Sequence, residues 1–325
     1  MSEILSLAGA NLISPIILSF ALGLLAALAR SDLTIPEAVA KGMSIYLLFA
    51  IGFKGGVAVS AHGIDQTLIL SLLAGLVLSF ALPVLAFALL RIMTGLSRVD
   101  AAAVAAHYGS ISIVTFVAAT SVLNGRMISS EGYMVAVAAV MEAPAILSAL
   151  WLVARGGGDA KMDPTLIREI LLNGSIVLLV GAFFIGAITG APGFADISAF
   201  IEAPFKGVLC LFLLDMGLIA GRGLRQSRGV VSLGAVGFAI AMPLASAMIG
   251  LAVGMMIGLS LGGIVLLMVL SASASYIAVP AAMRVALPEA NPAVYLTLSL
   301  GVTFPFNLTL GIPLYLAIAQ KVTGA

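Results

Sequence analysis

The feature that most constrains this chain is a succession of continuously apolar runs, separated only by short clusters of charge and turn residues. A membrane-spanning helix takes about 20 mostly apolar residues. Runs of that kind lie near 12–29, 36–58, 66–91, 98–123 and 131–154, then near 166–188, 200–221, 230–257, 260–286 and 292–319. They do not alternate apolar with polar positions, which excludes a β-barrel. What remains is an all-α membrane protein of ten transmembrane helices, and ten spans use up nearly all of the 325 residues. No room is left for a soluble catalytic domain.

Composition closes the other routes. Hydrophobic residues make up 62% of the chain and charged residues 9%, with a mean hydropathy of +1.22. A water-soluble globule, a disordered chain and a nucleic-acid binder are excluded on that balance. The single cysteine, Cys210, sits in an apolar run, so neither an internal disulfide nor a cysteine metal cluster is available. His62 and His107 alone cannot build a zinc site, and no phosphate-binding loop is present. The expectation is a protein that is not an enzyme and carries no organic cofactor and no transition metal. The segment before the first run holds Glu3 but no Lys or Arg, so it lacks the basic region of a signal peptide and reads as the start of the first membrane helix.

The chain repeats itself. A shift of 165 aligns Glu37 with Glu202, Lys41 with Lys206, Gly42 with Gly207, Gly52 with Gly217 and Gly56 with Gly221. Shifts of 160, 163 and 161 align Pro83 with Pro243, Gly109-Ser110-Ile111-Ser112 with Ala272-Ser273-Ala274-Ser275, and Pro144 with Pro305. Four segments matching in order define a first five-helix repeat over 1–154, a linker over 155–165 and a second repeat over 166–325. Five spans per half is an odd number, so the second copy enters from the opposite side and the repeat is inverted. Of the fifteen Lys and Arg, eleven fall on one side: Arg30, Lys41, Arg91, Arg98, Arg155, Lys161, Arg168, Arg222, Arg225, Arg228 and Arg284. The positive-inside rule makes that side cytoplasmic, with both termini outside the plasma (inner) membrane. Gly52-x-x-x-Gly56 and Gly217-x-x-x-Gly221 suit close helix packing, in a rigid scaffold or an oligomer interface.

Spans four and nine are interrupted at their centres. Arg98–His107 is ten residues, or about 15 Å of helix, and reaches the midplane of a hydrocarbon core about 30 Å thick. There the chain reads His107-Tyr108-Gly109-Ser110-Ile111-Ser112, and in the ninth span Ser271-Ala272-Ser273-Ala274-Ser275-Tyr276. Clustered Ser and Gly favour local side-chain-to-backbone bonds over a continued helix. In an inverted repeat two half-helix N-termini then meet from opposite sides, each with free N–H groups and about half a positive charge. That pair makes an anion site without Lys or Arg. The matching C-terminal ends, around His107 and Leu270–Ser271, offer carbonyls to a small cation. Polar residues inside apolar runs extend the cation side: Glu142, aligned with Thr303, and Asn307 two residues beyond Pro305. A carboxylate in mid-span costs about 2.5–3.5 kcal/mol, and carboxylate, amide and hydroxyl oxygens suit sodium, a hard ion. Asp215 and Lys54 fall in the aligned spans two and seven; either they pair across the pseudo-two-fold, or Lys54 snorkels to the surface.

Leu270-Ser271-Ala272-Ser273-Ala274-Ser275-Tyr276-Ile277-Ala278, its continuation through Met283-Arg284 to Asn291-Pro292, Gly301-Val302-Thr303-Phe304-Pro305-Phe306-Asn307, Gly311-Ile312-Pro313-Leu314-Tyr315, His107-Tyr108-Gly109-Ser110 and Ala50-Ile51-Gly52-Phe53-Lys54-Gly55-Gly56 resemble the SbtA-type sodium-dependent bicarbonate transporter family over essentially the whole chain. The resemblance implies an elevator mechanism, with spans three to five and eight to ten as a moving core and one, two, six and seven as the gate. It implies a homotrimer, a cytosolic PII-like regulatory partner and sodium-coupled bicarbonate uptake. Carried over, Ser110, Ser112, Ser273, Ser275 and the neighbouring backbone of Gly109, Ala272 and Ala274 would hold bicarbonate. Glu142, Thr303 and Asn307, with Ser271 and His107, would lie at sodium. The linker is shorter than the central loop of the cyanobacterial members, a departure at the regulator's side that leaves the transport core unchanged. The alternatives are a sodium symporter of similar fold for a small organic carboxylate and, more remotely, an intramembrane enzyme or sensor. Leu214-Asp215-Met216-Gly217 lacks the second, well-placed aspartate that an intramembrane protease needs.

Overall fold

The computed structural model describes residues 13–142, 144–155, 168, 172, 174–226 and 232–324. The linker beyond Arg155 lies outside the described residues, as do most of 166–173 and Glu3, Lys161 and Arg228. Every regular element described is helical. In chain order they are α1 (Pro15–Leu28), α2 (Glu37–His62), α3 (Gln66–Met93), α4 (Arg98–His107), α5 (Ile113–Gly125), α6 (Met134–Val140), α7 (Pro144–Ala154), α8 (Gly174–Ile201), α9 (Phe205–Gln226), α10 (Leu233–Ile257), α11 (Leu261–Ala272), α12 (Ala278–Ala286) and a last rod, α13 (Pro292–Thr323). Among the described residues seven helical stretches are long and apolar enough to cross a membrane, and α1, α5 and α11 are shorter apolar helices.

Side-chain caps set many of the starts. Ser14, Asp65, Ser97, Ser112, Ser232, Ser260 and Asn291 each accept a hydrogen bond from an N–H two or three residues ahead, satisfying one of the orphan donors of a first turn. Two of the short helices, α4 and α11, are the innermost. Ala101–His107 of α4 and Gly262–Ala272 of α11 are buried on every side, as expected of helices without a polar face. The long helices turn apolar side chains outward, among them Leu73, Phe184 and Met256, the surface of a multi-pass membrane protein.

Two sets of helices pack together. In one, α1 lies along α9 and α2 along α8. The glycine pairs make the close approach possible: a Cβ at Gly52 or Gly56 would strike the α8 backbone at Leu179 or Phe183, and one at Gly217 the α1 backbone at Phe20. The Gly-x-x-x-Gly segments therefore work within the chain. Gly217 faces Phe20–Leu24 and Gly221 faces Leu24–Ala27, so α1 and α9 run in the same direction; Gly52 faces Leu179 and Gly56 Phe183, so α2 and α8 do likewise. The other set gathers α3, α4, α5, α7, α10, α11 and α13 around the short helices.

Three spans depart from the simplest reading of the apolar runs. The helix expected over 166–188 continues to Ile201, because Gly190 (φ 57°, ψ −151°) kinks the chain and Pro192 opens a fresh helical segment. Span five is not continuous: it breaks between Val140 and Pro144. Proline has no N–H to bond back one turn, so Pro144 cannot bond to Val140 O, and the hydroxyl of Ser79 on α3 donates to the neighbouring Met141 O at 2.8 Å. Span ten absorbs its own proline differently. Wide π-type turns over Thr297–Thr303 and Asn307–Gly311 flank Phe304-Pro305-Phe306, a device that recurs at functional sites.

Candidate functional site at two crossing helix breaks

Both expected interruptions are present. The fourth span stops at His107 and restarts at Ile113; the ninth stops at Ala272 and restarts at Ala278. Their outer starts are each tied to the other half of the chain by a carboxylate. Asn291 N–H, at the head of α13, donates to Asp100 Oδ1 in the first turn of α4 at 2.8 Å. Ser260 N–H and Oγ–H, at the head of α11, donate to the two oxygens of Glu131 at 2.7 and 3.0 Å. These links aim both half-helices at one point.

At that point the breaks bond directly to each other. Ser112 N–H donates to Ser273 Oγ at 2.9 Å, and that hydroxyl donates in turn to Leu270 O at 3.0 Å. Ser275 N–H donates to His107 O at 2.7 Å, across the same contact. One N–H and one carbonyl expected to be open are thus satisfied by the opposite break. Others stay open. Ser112 Oγ caps Thr115 N–H at 3.2 Å and accepts from the Thr115 hydroxyl at 2.9 Å, but the buried N–H groups of Ile113 and Val114 find no partner among the described residues. Ile277 gives α12 no side-chain cap.

All the expected anion residues come together here. Ser110, Ser112, Ser273 and Ser275 are 1–4% exposed, and Ala272 and Ala274 are equally buried. Gly109 is where Pro83 of α3 presses on the break; a Cβ there would meet the proline ring. Ser110 Oγ is buried with no hydrogen-bond partner among the described residues.

The expected cation residues divide. Ser271 Oγ is unpartnered and faces Gly250 of α10. His107 stacks 4.7 Å from Tyr295, and its Nδ1 donates to Ala103 O at 2.8 Å, leaving Nε2 without a partner. Asn307 holds the end of α11, its Nδ2 donating to Ala272 O at 2.9 Å while Tyr315 donates to its Oδ1 at 2.8 Å. Thr303 is the middle of a relay: Tyr108 donates to its Oγ1 at 2.7 Å, and it donates to Ala239 O on α10 at 2.6 Å. Glu142 is 6% exposed, and its carboxylate has neither a hydrogen bond nor a cation among the described residues. It makes no bond to the crossing. Lys54 does not pair with Asp215; it reaches Glu202 Oε1 at 3.3 Å and lies 5.5 Å from the Phe205 ring centre.

The tyrosines are what the sequence reading missed. Tyr108 and Tyr315 lock Thr303 and Asn307, and Tyr295 stacks on His107. Tyr315 follows Asn307 by eight residues, about two helical turns, a spacing that could have paired them.

Unsatisfied donors and hydroxyls sealed inside a helical membrane protein, at discontinuous helices, are the architecture of a secondary transporter. A sequence model of the Na+-dependent bicarbonate transporter superfamily matches residues 15–320, and the chain belongs to that family. Comparison with the curated proteins returns no match.

Proposed function

We propose that this protein is a symporter that couples inward sodium flow to bicarbonate uptake, with the anion gripped at the crossing of the two breaks. The observation that carries the reading is the crossing itself: breaks from both halves in contact, with free N–H groups at the α5 tip and unpartnered Ser110, Ser271 and His107 atoms beside it. N–H groups and hydroxyls at a helix start favour an anion. Ser271, Asn307, Thr303 and His107 line the cation side, and Glu142 offers buried carboxyl oxygens of the kind that suit sodium. The closeness of the breaks favours a small anion such as bicarbonate over a bulkier organic carboxylate.

The same reading makes the chain a ten-span protein with a 5+5 inverted repeat over 1–154 and 166–325. Pairing α4 with α5, α6 with α7 and α11 with α12 accounts for the spans made of two pieces. The parallel runs of α1 with α9 and of α2 with α8 support the inversion, since upright repeats would set those pairs antiparallel. The set α1, α2, α8 and α9 would be the gate and the other set the elevator core. The cytoplasmic placement of the arginine-rich side, both termini outside and a plasma-membrane location follow from the charge bias. The homotrimer and the PII-like partner rest on the family resemblance alone.

Net charge carried inward gains about 2.3 kcal/mol per charge per 100 mV, so more than one sodium per bicarbonate would draw on the membrane potential. The test is labelled-bicarbonate uptake into proteoliposomes with and without an inward sodium gradient. Uptake is expected only with the gradient; uptake indifferent to sodium overturns the coupling.

A further inference from the structure

One buried polar group at the crossing has no role in the function proposed above. Tyr276, the residue after Ser275 in the second break, is 7% exposed, and its hydroxyl is sealed from solvent with no hydrogen-bond partner among the described residues. A buried tyrosine hydroxyl is normally paired. Tyr108 and Tyr315 obey that rule, donating to Thr303 Oγ1 at 2.7 Å and to Asn307 Oδ1 at 2.8 Å. Those two hold the frame, whereas the Tyr276 hydroxyl can be satisfied only by what the crossing itself takes in.

That hydroxyl is aimed across the crossing. Ser112 Oγ, the cap of α5, lies beside it but makes no hydrogen bond with it, being turned to the N–H and hydroxyl of Thr115. Past the cap are the open N–H groups of Ile113 and Val114. On its own side Tyr276 leads into α12, which starts with no side-chain cap. Both helix starts carry partial positive charge, so an anion is favoured next to this hydroxyl and a cation is not. The ring has little room to swing away. It meets Phe304 of α13 edge to face, with centroids 4.9 Å apart, and Phe304 meets Phe20 of α1 at 5.2 Å. All three rings are buried.

From this placement we infer that Tyr276 sets which anion the crossing accepts. A phenol both donates and accepts, which matches a small oxyanion that itself carries an O–H. The braced ring limits the length of what fits between the breaks, since an alkyl chain would have to displace a packed row of rings. That role presupposes the proposed function, with the anion at the crossing.

The test uses the reconstituted full chain, with labelled-bicarbonate uptake and thermal unfolding as readouts. Tyr276→Phe keeps the ring and drops only the hydroxyl. Half-saturating bicarbonate is expected to rise about ten-fold, the loss of one hydrogen bond to a charge, and the stabilisation that bicarbonate gives the unfolding midpoint to shrink with it. The midpoint without bicarbonate should not fall, because no bond within the chain is lost; a fall assigns the hydroxyl to the frame and overturns its role at the anion. Tyr276→Leu removes the ring, so butyrate should compete with bicarbonate in that variant and not in the unaltered protein. Equal competition in both overturns the size limit. Unchanged half-saturating bicarbonate in Tyr276→Phe, with uptake still abolished by Ser273→Leu, overturns the contact and leaves the crossing standing. Normal uptake by Ser273→Leu removes the anion from the crossing and the role of Tyr276 with it.

Discussion

The two breaks align residue for residue, yet the structure uses them differently. Ser273, in the second break, is fully engaged: it accepts from Ser112 N–H and donates to Leu270 O. Its mate Ser110 makes no side-chain bond. Ser112 caps α5, whereas α12 starts from Ile277 with no side-chain cap. His107, whose carbonyl receives Ser275, aligns with the apolar Leu270. At this aligned pair one serine holds the crossing and the other is left free among the described residues, and Ser271 Oγ adds a free group on the second break. The aligned positions frame the crossing, while the departures between them make its two sides chemically unlike.

That contrast can be broken by experiment. Ser273→Leu should have the largest effect. Overpacking at the contact costs about 1–3 kcal/mol and fills the space between the breaks, so bicarbonate uptake should fall below detection while the helical circular dichroism is kept. Normal uptake would place the anion elsewhere. Glu142→Gln comes next. The carboxylate makes no bond to lose, so stability should hold while half-saturating sodium rises about ten-fold, the loss of one contact to a charge. An unchanged sodium dependence of uptake would remove Glu142 from the cation site.

The sharpest comparison sets Ser273→Ala against Ser110→Ala. The first leaves Ser112 N–H buried and unpaired, about 1–3 kcal/mol, and should lower the thermal unfolding midpoint. The second breaks no bond, so the midpoint should not move, whereas half-saturating bicarbonate should rise. Equal midpoints in the two variants would erase the distinction between scaffold and ligand serines. Lys54→Met should do least. Its pair with Glu202 is half-exposed and contributes less than about 1 kcal/mol, which the same unfolding measurement checks.

Much of this was legible in the chain. Serine and glycine clusters marked both breaks, because their side chains compete with the helix for backbone bonds. Ser97 and Ser260 are where the inner half-helices begin, and Gly52, Gly56, Gly217 and Gly221 marked the tight helix contacts. The break at Met141–Pro144 was less visible, because a single proline kinks, widens or interrupts a helix according to its neighbours: Ser79 donates to Met141 O in span five, and π-type turns flank the proline in span ten. Thr303 and Asn307 were picked out as polar residues in apolar runs, but nothing local showed that Tyr108 and Tyr315 occupy them.

The sequence by itself determined that the chain is helical, lies in a membrane and is interrupted at two serine-rich points. Those are consequences of local composition and spacing, which act over a turn or two of helix. Only the tertiary structure decided which half of each aligned pair is spent on holding the crossing and which is left open. That choice depends on hydrogen bonds such as Ser112 to Ser273, between groups 161 residues apart, and a buried donor takes whichever partner the fold brings within reach.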